Sequence, residues 1–369
     1  MPPSVGSVSG LVSEAFALGA FCRRGEASVS DFRPDPPETM FFRSGEIPGK
    51  RGAMSPIYFF KRLCFMVVTL FCISIIIFAV TMILPGNLAQ VILGEFATDD
   101  ALRALEEQMG LNLPYYQQYA NWIWGVLHGD FGQALSMDQP ILPLLLFRLK
   151  NSGILALFSI VIVTLIAIPL GVFAALHRNR FSDRLIQVGS YIGISVPEFA
   201  TGSLLIIAFA GPLLNLFPSA GYAAFSEDPL RALSHIVLPV MTLVIVLIAH
   251  IMRQTRSEMI QVMQSDYIRS ARLRGLSNSM VVYKHALRNA LMPTITVLAL
   301  DVGYLIGSVV VIEEVFAYPG IGRLIVYAVT SRDVPLLQAT VLTVASVYCL
   351  VNFLADLAYG WVNPRIRYQ

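Results

Sequence analysis

The sequence predicts an all-α integral membrane protein with a six-helix transmembrane bundle. Three observations support this prediction. The mean hydropathy is +0.66, and 14% of the residues are charged, against roughly a quarter in soluble domains. Six apolar runs are long enough to span a bilayer, since about 20 helical residues suffice. The basic loops all fall on one side, which the positive-inside rule assigns to the cytoplasm. Both termini are therefore expected to be cytoplasmic.

The composition also excludes several classes of protein. A net charge of +2 is too small to indicate a nucleic-acid partner. The cysteines show no ligand spacing, so neither a metal site nor a disulfide is expected for Cys22, Cys64, Cys72 and Cys349. The sequence has no phosphate-binding P-loop, no GxSxG and no HExxH, so no catalytic residue is predicted.

Residues 1–53 differ from the rest of the chain, and the transmembrane domain is predicted over 54–369. The first segment is rich in Pro, Ser, Gly and Arg without a periodic pattern, which is typical of disorder. Its apolar patch contains Glu14 and lacks a preceding basic residue, unlike a signal peptide. An over-long gene prediction is an alternative, because Met54 is followed directly by a membrane-protein start.

The first span is predicted from Leu63 to Leu84 and is followed by a soluble-looking excursion over residues 86–150. This excursion is acidic and is expected to be extracytoplasmic. Within it, Asp99 or Asp100 can begin an amphipathic helix that ends at Met109. Aromatic residues between Tyr115 and Leu127 are typical of a helix at the membrane interface.

Four further apolar runs and one interrupted run complete the bundle. Their predicted bounds are Gly153–Leu176 with a kink at Pro169, Leu185–Leu214 interrupted at Val196-Pro197-Glu198, His235–Met252, Thr294–Ile312 and Leu336–Tyr359. A helix break inside a membrane is tolerated where it faces protein or a water-filled path.

A basic segment separates the fourth and fifth spans, in a loop over residues 253–293. Seven Lys or Arg stand there against two acidic residues. Ser265 or Asp266 can begin a short helix, and Gly275 can take the left-handed conformation that ends it. A second helix is expected from Ser277 toward Pro293. Charge alone leaves two readings open, a membrane anchor and a docking site for a partner.

Acidic residues in or near the spans are candidates for a translocation path, because burying a carboxyl group in a membrane is costly. The candidates are Glu198, Asp301, Glu313 and Glu314. For Asp301, pairing with a neighbouring helix is an alternative. Glu313 and Glu314 are also compatible with a solvated position at the membrane surface. His250 is expected to make ordinary interfacial hydrogen bonds.

Sequence blocks in a fixed order extend over about three hundred residues. They are ILPGN (83–87), GLNLPYYQQY (110–119), GDFGQAL (129–135), IPLGVFAAL (168–176), ISVPEF (194–199), DYIRSARLRGLS (266–277) with KHALRNALMP (284–293), EEVFAYPGIGRL (313–324) and NPRIR (363–367). In these blocks the chain resembles the oligopeptide/dipeptide permease B family, the first permease subunit of peptide-type ABC importers.

The resemblance implies a type I ABC importer bundle in the inner membrane and a set of partners. These are a second homologous permease, two cytoplasmic ABC ATPases that bind ATP and Mg²⁺, an extracytoplasmic peptide-binding protein and the lipid bilayer. No cofactor is then expected in this chain. Relatives that carry nickel chelates, glutathione or another small solute provide an alternative, and an ion-coupled secondary transporter is an alternative from another class.

The resemblance also implies that the basic segment couples the permease to its ATPase. The residues expected to do so are Tyr267, Ile268, Ala271, Arg272, Gly275, Leu276, His285, Arg288, Asn289 and Pro293. Among them, Tyr267, Ile268 and Ala271 are expected to form the apolar side of a helix inserted into an ATPase cleft. The general importer motif has Glu-Ala-Ala where this chain has Arg269, Ser270 and Ala271, a departure that matches the peptide subfamily.

Overall fold

The computed structural model describes residues 56–83, 98–108, 112–212 and 214–362. The predictions made for residues 1–53 and for the NPRIR tail lie outside this part of the chain. The helices in chain order are α1 (Pro56–Ile83), α2 (Asp99–Gln108), α3 (Tyr115–Leu127), α4 (Ile141–Leu176), α5 (Phe181–Ser195), α6 (Glu198–Leu205), α7 (Pro229–Met263), α8 (Asp266–Leu273), α9 (Leu287–Val315), α10 (Ile321–Thr330) and α11 (Val334–Val362). Two π-helical segments, Ile206–Ala210 and Met280–Ala286, continue α6 and precede α9.

The predicted six-helix membrane bundle is confirmed by helix length and composition. Within the described ranges five helices can cross a membrane, namely Phe59–Ile83, Ile141–Leu176, Pro229–Met263, Met280–Val315 and Val334–Leu357. A sixth span exists if Phe181–Ser195 and Glu198–Ala210, which meet at 104°, are counted together.

The prolines decide where the predicted spans differ from the structure. The third span is two helices, because Pro197 lacks an N–H and holds the preceding residue in an extended conformation, with φ −94° and ψ 127° at Val196. Pro169 and Pro293, in contrast, lie inside α4 and α9. Neighbouring helices and local π-helical adjustments make such positions tolerable in membrane helices. The prediction that the fifth span begins after Pro293 was therefore wrong.

Helix α7 forms the centre of the bundle, and α4 and α9 cover it. Its buried residues include Leu243, Leu247 and Ile251, which belong to the largest apolar cluster. The backbones of α4 and α7 approach closely at Gly171, where an added Cβ would lie 2.7 Å from the carbonyl oxygen of Met252. Packing this tight leaves no room for a side chain at residue 171.

The segment between the first two spans packs against the bundle through polar contacts. The strands β1 (Gln133–Ala134) and β2 (Gln139–Pro140) form a hairpin before α4. The backbone N–H and hydroxyl of Ser136 both donate to Asp333, at 2.9 and 2.8 Å. On the other side, a hydrogen bond of 2.8 Å joins Ser74 of α1 to Tyr119 of α3. The helix predicted from aromatic residues, α3, has the predicted bounds.

Candidate functional site

The basic segment folds into a short helix, a glycine corner and a return helix. Helix α8 begins after Ser265, which has extended backbone angles, and ends before Gly275. Gly275 has a φ of +77°, a conformation that costs an L-residue roughly 1 kcal/mol or more. The first helix and its glycine corner are therefore as the sequence predicted. The return helix starts directly after Ser277 as predicted. It differs from the prediction in its π-helical turns and in continuing past Pro293 through α9.

Burial corrects the prediction about the apolar side of α8. Ile268 and Ala271 are buried against the chain's own core, with Met259 of α7 and Val282 of the π-helical segment. They cannot enter a partner's cleft while this packing holds. The outward face instead presents Leu273, whose side chain is 81% exposed.

The other residues expected to couple divide by exposure. Arg272, Arg288 and Asn289 are exposed, whereas Leu276, His285 and Pro293 are half-buried. The amide of Asn289 donates to the Tyr267 hydroxyl at 2.8 Å and so links α8 to α9. Tyr267 and Asn289 therefore lie side by side. We call the exposed coupling candidates of the two helices, together with Leu273, the α8 surface; its residues are Tyr267, Arg272, Leu273, Arg288 and Asn289.

An ion pair that the sequence analysis missed lies between α5 and α7. Arg256 donates to both oxygens of Asp183 at 2.7 Å, and the backbone N–H of Asn179 donates to the same carboxylate at 3.0 Å. Asp183 is buried, so the pair fixes the loop after α4 to the end of α7 that leads to α8. The sequence feature that could have predicted this ion pair is an acidic residue, Asp183, in the first turn of a helix that follows a basic loop.

One of the acidic candidates contacts α9, and another lies on α9 itself. Glu198, at the break between α5 and α6, accepts hydrogen bonds from Tyr304 at 2.8 Å and Ser308 at 2.6 Å. Asp301 lies one helical turn before Tyr304, and one of its oxygens is 3.4 Å from His250 Nδ1 of α7. His250 thus faces a carboxylate of a neighbouring helix, contrary to the prediction of ordinary interfacial bonds.

Glu313 and Glu314, predicted together, occupy opposite environments. Glu313 is completely buried and accepts hydrogen bonds from the Ser152 hydroxyl and, at 2.7 Å, from the Gly322 N–H. The prediction of a solvated position is therefore wrong for Glu313. Glu314 is exposed, with its carboxylate 4.0 Å from Arg323 Nε.

The turn between α9 and α10 is built around the Glu313 carboxylate. Gly320 lies so close that an added Cβ would overlap this carboxylate. Ser152 completes the arrangement by accepting from the Ile321 N–H at 2.8 Å. Tyr318, in the same turn, is buried, and this burial raises the pKa of its phenol. The PGIG sequence is therefore a turn in which Gly320 makes room for the Glu313 carboxylate and Gly322 makes room for Val310 of α9.

Comparisons with family models and with named proteins both match this chain to transport-system membrane subunits. Residues 167–368 match the family described as "Binding-protein-dependent transport system inner membrane component", and residues 57–145 match the N-terminal model of the same kind of protein. A protein of Sinorhizobium fredii named "Probable peptide ABC transporter permease protein" is 37% identical over 85% of this chain and 99% of its own length.

A second relative is named for a different substrate. The glutathione transport system permease protein GsiC of Escherichia coli strain K12 is 36% identical over 85% of this chain and 99% of its own length. Both relatives are matched along nearly their whole length. Together with the membrane spans, these matches place the chain among multi-pass inner membrane proteins. The chain belongs to the family of binding-protein-dependent transport system inner membrane components, the permease subunits of ABC transporters.

Proposed function

We propose that this permease subunit imports di- and oligopeptides and receives the force of ATP hydrolysis at the α8 surface. The observation that carries the docking site is the exposed Leu273 beside exposed arginines, on a short helix whose other face is locked into the core. An exposed apolar residue with a charged rim suits a protein interface. The peptide substrate rests on the name of the Sinorhizobium relative and on the sequence blocks shared with peptide permeases.

The proposal includes the orientation and the partners. The basic segment faces the cytoplasm, as do both termini, and the α3 side faces outward, where a peptide-binding protein delivers its load. A second homologous permease completes the path. Two cytoplasmic ATPases bind ATP and Mg²⁺, and this chain performs no hydrolysis itself.

Glutathione is the second candidate substrate, because the relative named as a glutathione permease is nearly as similar as the one named for peptides. Glutathione is itself a tripeptide, so one path could accept both. Competition between glutathione and unmodified peptides separates the two candidates. Uptake of glutathione that a hundredfold excess of mixed peptides does not reduce would favour glutathione.

Reconstitution with the partner subunits tests the docking site. Leu273→Ser removes the exposed apolar contact. Leu230→Ser is the matched control, since Leu230 is also 81% exposed but lies in the first turn of α7, at the opposite end of α7 from α8. Removing a well-packed interface leucine costs roughly 1–2 kcal/mol. We therefore expect Leu273→Ser to weaken ATPase binding about tenfold and the control to leave it unchanged.

Two outcomes would contradict this proposal. Equal ATPase binding by Leu273→Ser and Leu230→Ser would remove the docking site from the α8 surface. Wild-type proteoliposomes that bind the ATPases but import neither peptides nor glutathione would instead refute the substrate assignment. Binding is measured by co-purification and uptake with labelled peptides, so the two results are independent.

A further inference from the structure

A carboxylate lies at the break in the third span, where a membrane helix is interrupted. Glu198 is the first residue of α6, directly after Pro197, and α5 and α6 meet there at 104°. Interrupted helices inside a membrane occur where they contact protein or line a water-filled cavity. An ionisable residue at such a position is a functional candidate by default.

The hydrogen bonds of Glu198 satisfy one side of its carboxylate. Tyr304 and Ser308 of α9 both donate to Oε1, at 2.8 and 2.6 Å. Both donors are neutral hydroxyl groups, and they fix the position of this oxygen. Among the described residues, Oε2 accepts no hydrogen bond and no Lys, Arg or His forms an ion pair with Glu198. The negative charge is therefore held in place but is not neutralised.

Glu198 borders a cleft of about 350 Å³, which we call the Glu198 cleft. The cleft is lined by Glu198, Phe199, Tyr304, Gly307, Ser308 and Val311. Its size is within the range of roughly 300–1,000 Å³ that is typical of small-molecule sites. Apart from the carboxylate and two hydroxyl groups its walls are apolar or aromatic.

The chemistry of the cleft fits a primary ammonium group on an apolar stem. The ammonium has three donors and no acceptor, so it complements an oxygen that accepts nothing else. The two aromatic rings add the attraction that π faces exert on cations, worth roughly 0.5–2 kcal/mol. A carboxylate or phosphate group would be repelled by the same charge. Mono- or disaccharide hydroxyls would find few acceptors in such walls.

We propose that Glu198 binds an ammonium group of the transported peptide during its passage and that Tyr304 and Ser308 hold the carboxylate for this contact. The proposal rests on the proposed peptide-import function and adds the part of the substrate that is recognised. Asp301 differs from Glu198, because a histidine, His250, faces one of the Asp301 carboxylate oxygens. Glu313 differs because protein donors surround it.

A purely structural role for Glu198 is the competing explanation, because its hydrogen bonds also join α6 to α9. Two variants separate the roles. Glu198→Gln keeps the length and an oxygen acceptor for Tyr304 and Ser308 but removes the charge. Glu198→Asp keeps the charge and shortens the side chain by one methylene. A binding role predicts that the Asp variant is the better transporter, whereas a structural role predicts the reverse.

The experiment uses the whole transporter in proteoliposomes, with the binding protein saturated by each peptide. The peptides are Ala-Lys-Ala, Ala-norleucine-Ala and its N-acetylated form, so the arms distinguish a side-chain ammonium from the α-ammonium. We expect Glu198→Gln to lower uptake of the peptides that carry the recognised ammonium about tenfold. Glu198→Asp is expected to lower it less than threefold, and the acetylated peptide is expected to be unaffected. Glu227→Gln is the control, as it removes an exposed carboxylate from the loop before α7.

Each remaining outcome decides against the proposal. An equal loss for both Glu198 variants, with all peptides that the wild type imports, would assign Glu198 to helix packing. Loss of co-purification of the second permease with Glu198→Gln would assign it to the subunit interface. Uptake by Glu198→Gln equal to wild type for every peptide also overturns the inference. Only a wild-type assembly that imports no peptide would refute the proposed function as well.

Discussion

Removal of the buried carboxylate at the α9–α10 turn should release α10 from the bundle. The perturbation is Glu313→Ala. It leaves the buried Gly322 N–H without its acceptor, and the buried Ser152 hydroxyl keeps only its longer bond to the Arg148 carbonyl, at 3.2 Å. The Arg323 N–H, at 3.4 Å, contributes little at that distance.

The size of the effect follows from these two donors. Each buried donor that loses its partner costs roughly 1–3 kcal/mol. Part of this cost is offset, because the variant no longer buries a carboxyl group. We expect a net loss of about 3 kcal/mol in the free energy that keeps α10 closed, which corresponds to a roughly hundredfold larger opening constant.

Hydrogen exchange of the α10 backbone in detergent micelles measures this opening, since local unfolding controls the exchange of protected amides. Glu314→Ala is the matched control, because the neighbouring carboxylate is exposed and makes only a 4.0 Å contact with Arg323. We expect the control to change exchange less than twofold. If Glu313→Ala and Glu314→Ala accelerate exchange in α10 equally, the carboxylate does not hold the helix. Glu313→Gln serves if the Ala variant fails to insert, and it should accelerate exchange about tenfold.

Two other predictions concern packing elsewhere in the bundle. Gly171→Ala should destabilise the protein by about 2 kcal/mol, because its Cβ would meet the α7 backbone at 2.7 Å. The control in the same helix is Gly153→Ala, whose added Cβ would have no atom within 4 Å. Equal thermal unfolding temperatures for the two variants would contradict this close approach. Asp183→Asn should cost about 3 kcal/mol, since it leaves the partly buried Arg256 without its carboxylate. Double substitution with Arg256→Gln should cost less than the sum of the singles, and strict additivity would show that the two residues do not interact.

The sequence predicted local structure well where one physical effect dominates. Long apolar runs produced the spans, and Gly275 ended α8 in the left-handed conformation. Proline was a less reliable guide. Pro197 breaks its helix, while Pro169 and Pro293 are accommodated inside theirs. A single sequence does not distinguish these cases, because the outcome depends on whether neighbouring helices and the local helix geometry accommodate the lost hydrogen bond.

The candidate site was predicted by residue but not by environment. Glu198 and Glu313 were identified because carboxyl groups near membrane spans are costly. Their partners come from segments more than one hundred residues away, as with Tyr304 for Glu198 and Ser152 for Glu313. No local pattern contains such contacts. The inward side of α8 was missed for the same reason, because Ile268 and Ala271 suit a partner's surface and the chain's own core equally well.

The arrangement of these features along one element suggests how a transporter of this kind could link its two ends. The π-helical segment and α9 form a continuous helical span from Met280 to Val315, roughly 54 Å long at 1.5 Å per residue. Asn289 joins its N-terminal third to α8, Tyr304 contacts Glu198 about two thirds of the way along it, and Glu313 holds α10 at its far end. Pro293 removes one backbone hydrogen bond between the first two of these contacts, but the helix continues through it and connects all three. Motion imposed on α8 would therefore reach the Glu198 cleft and the α9–α10 turn together, which allows the exposure of the cleft and the position of α10 to change in one step.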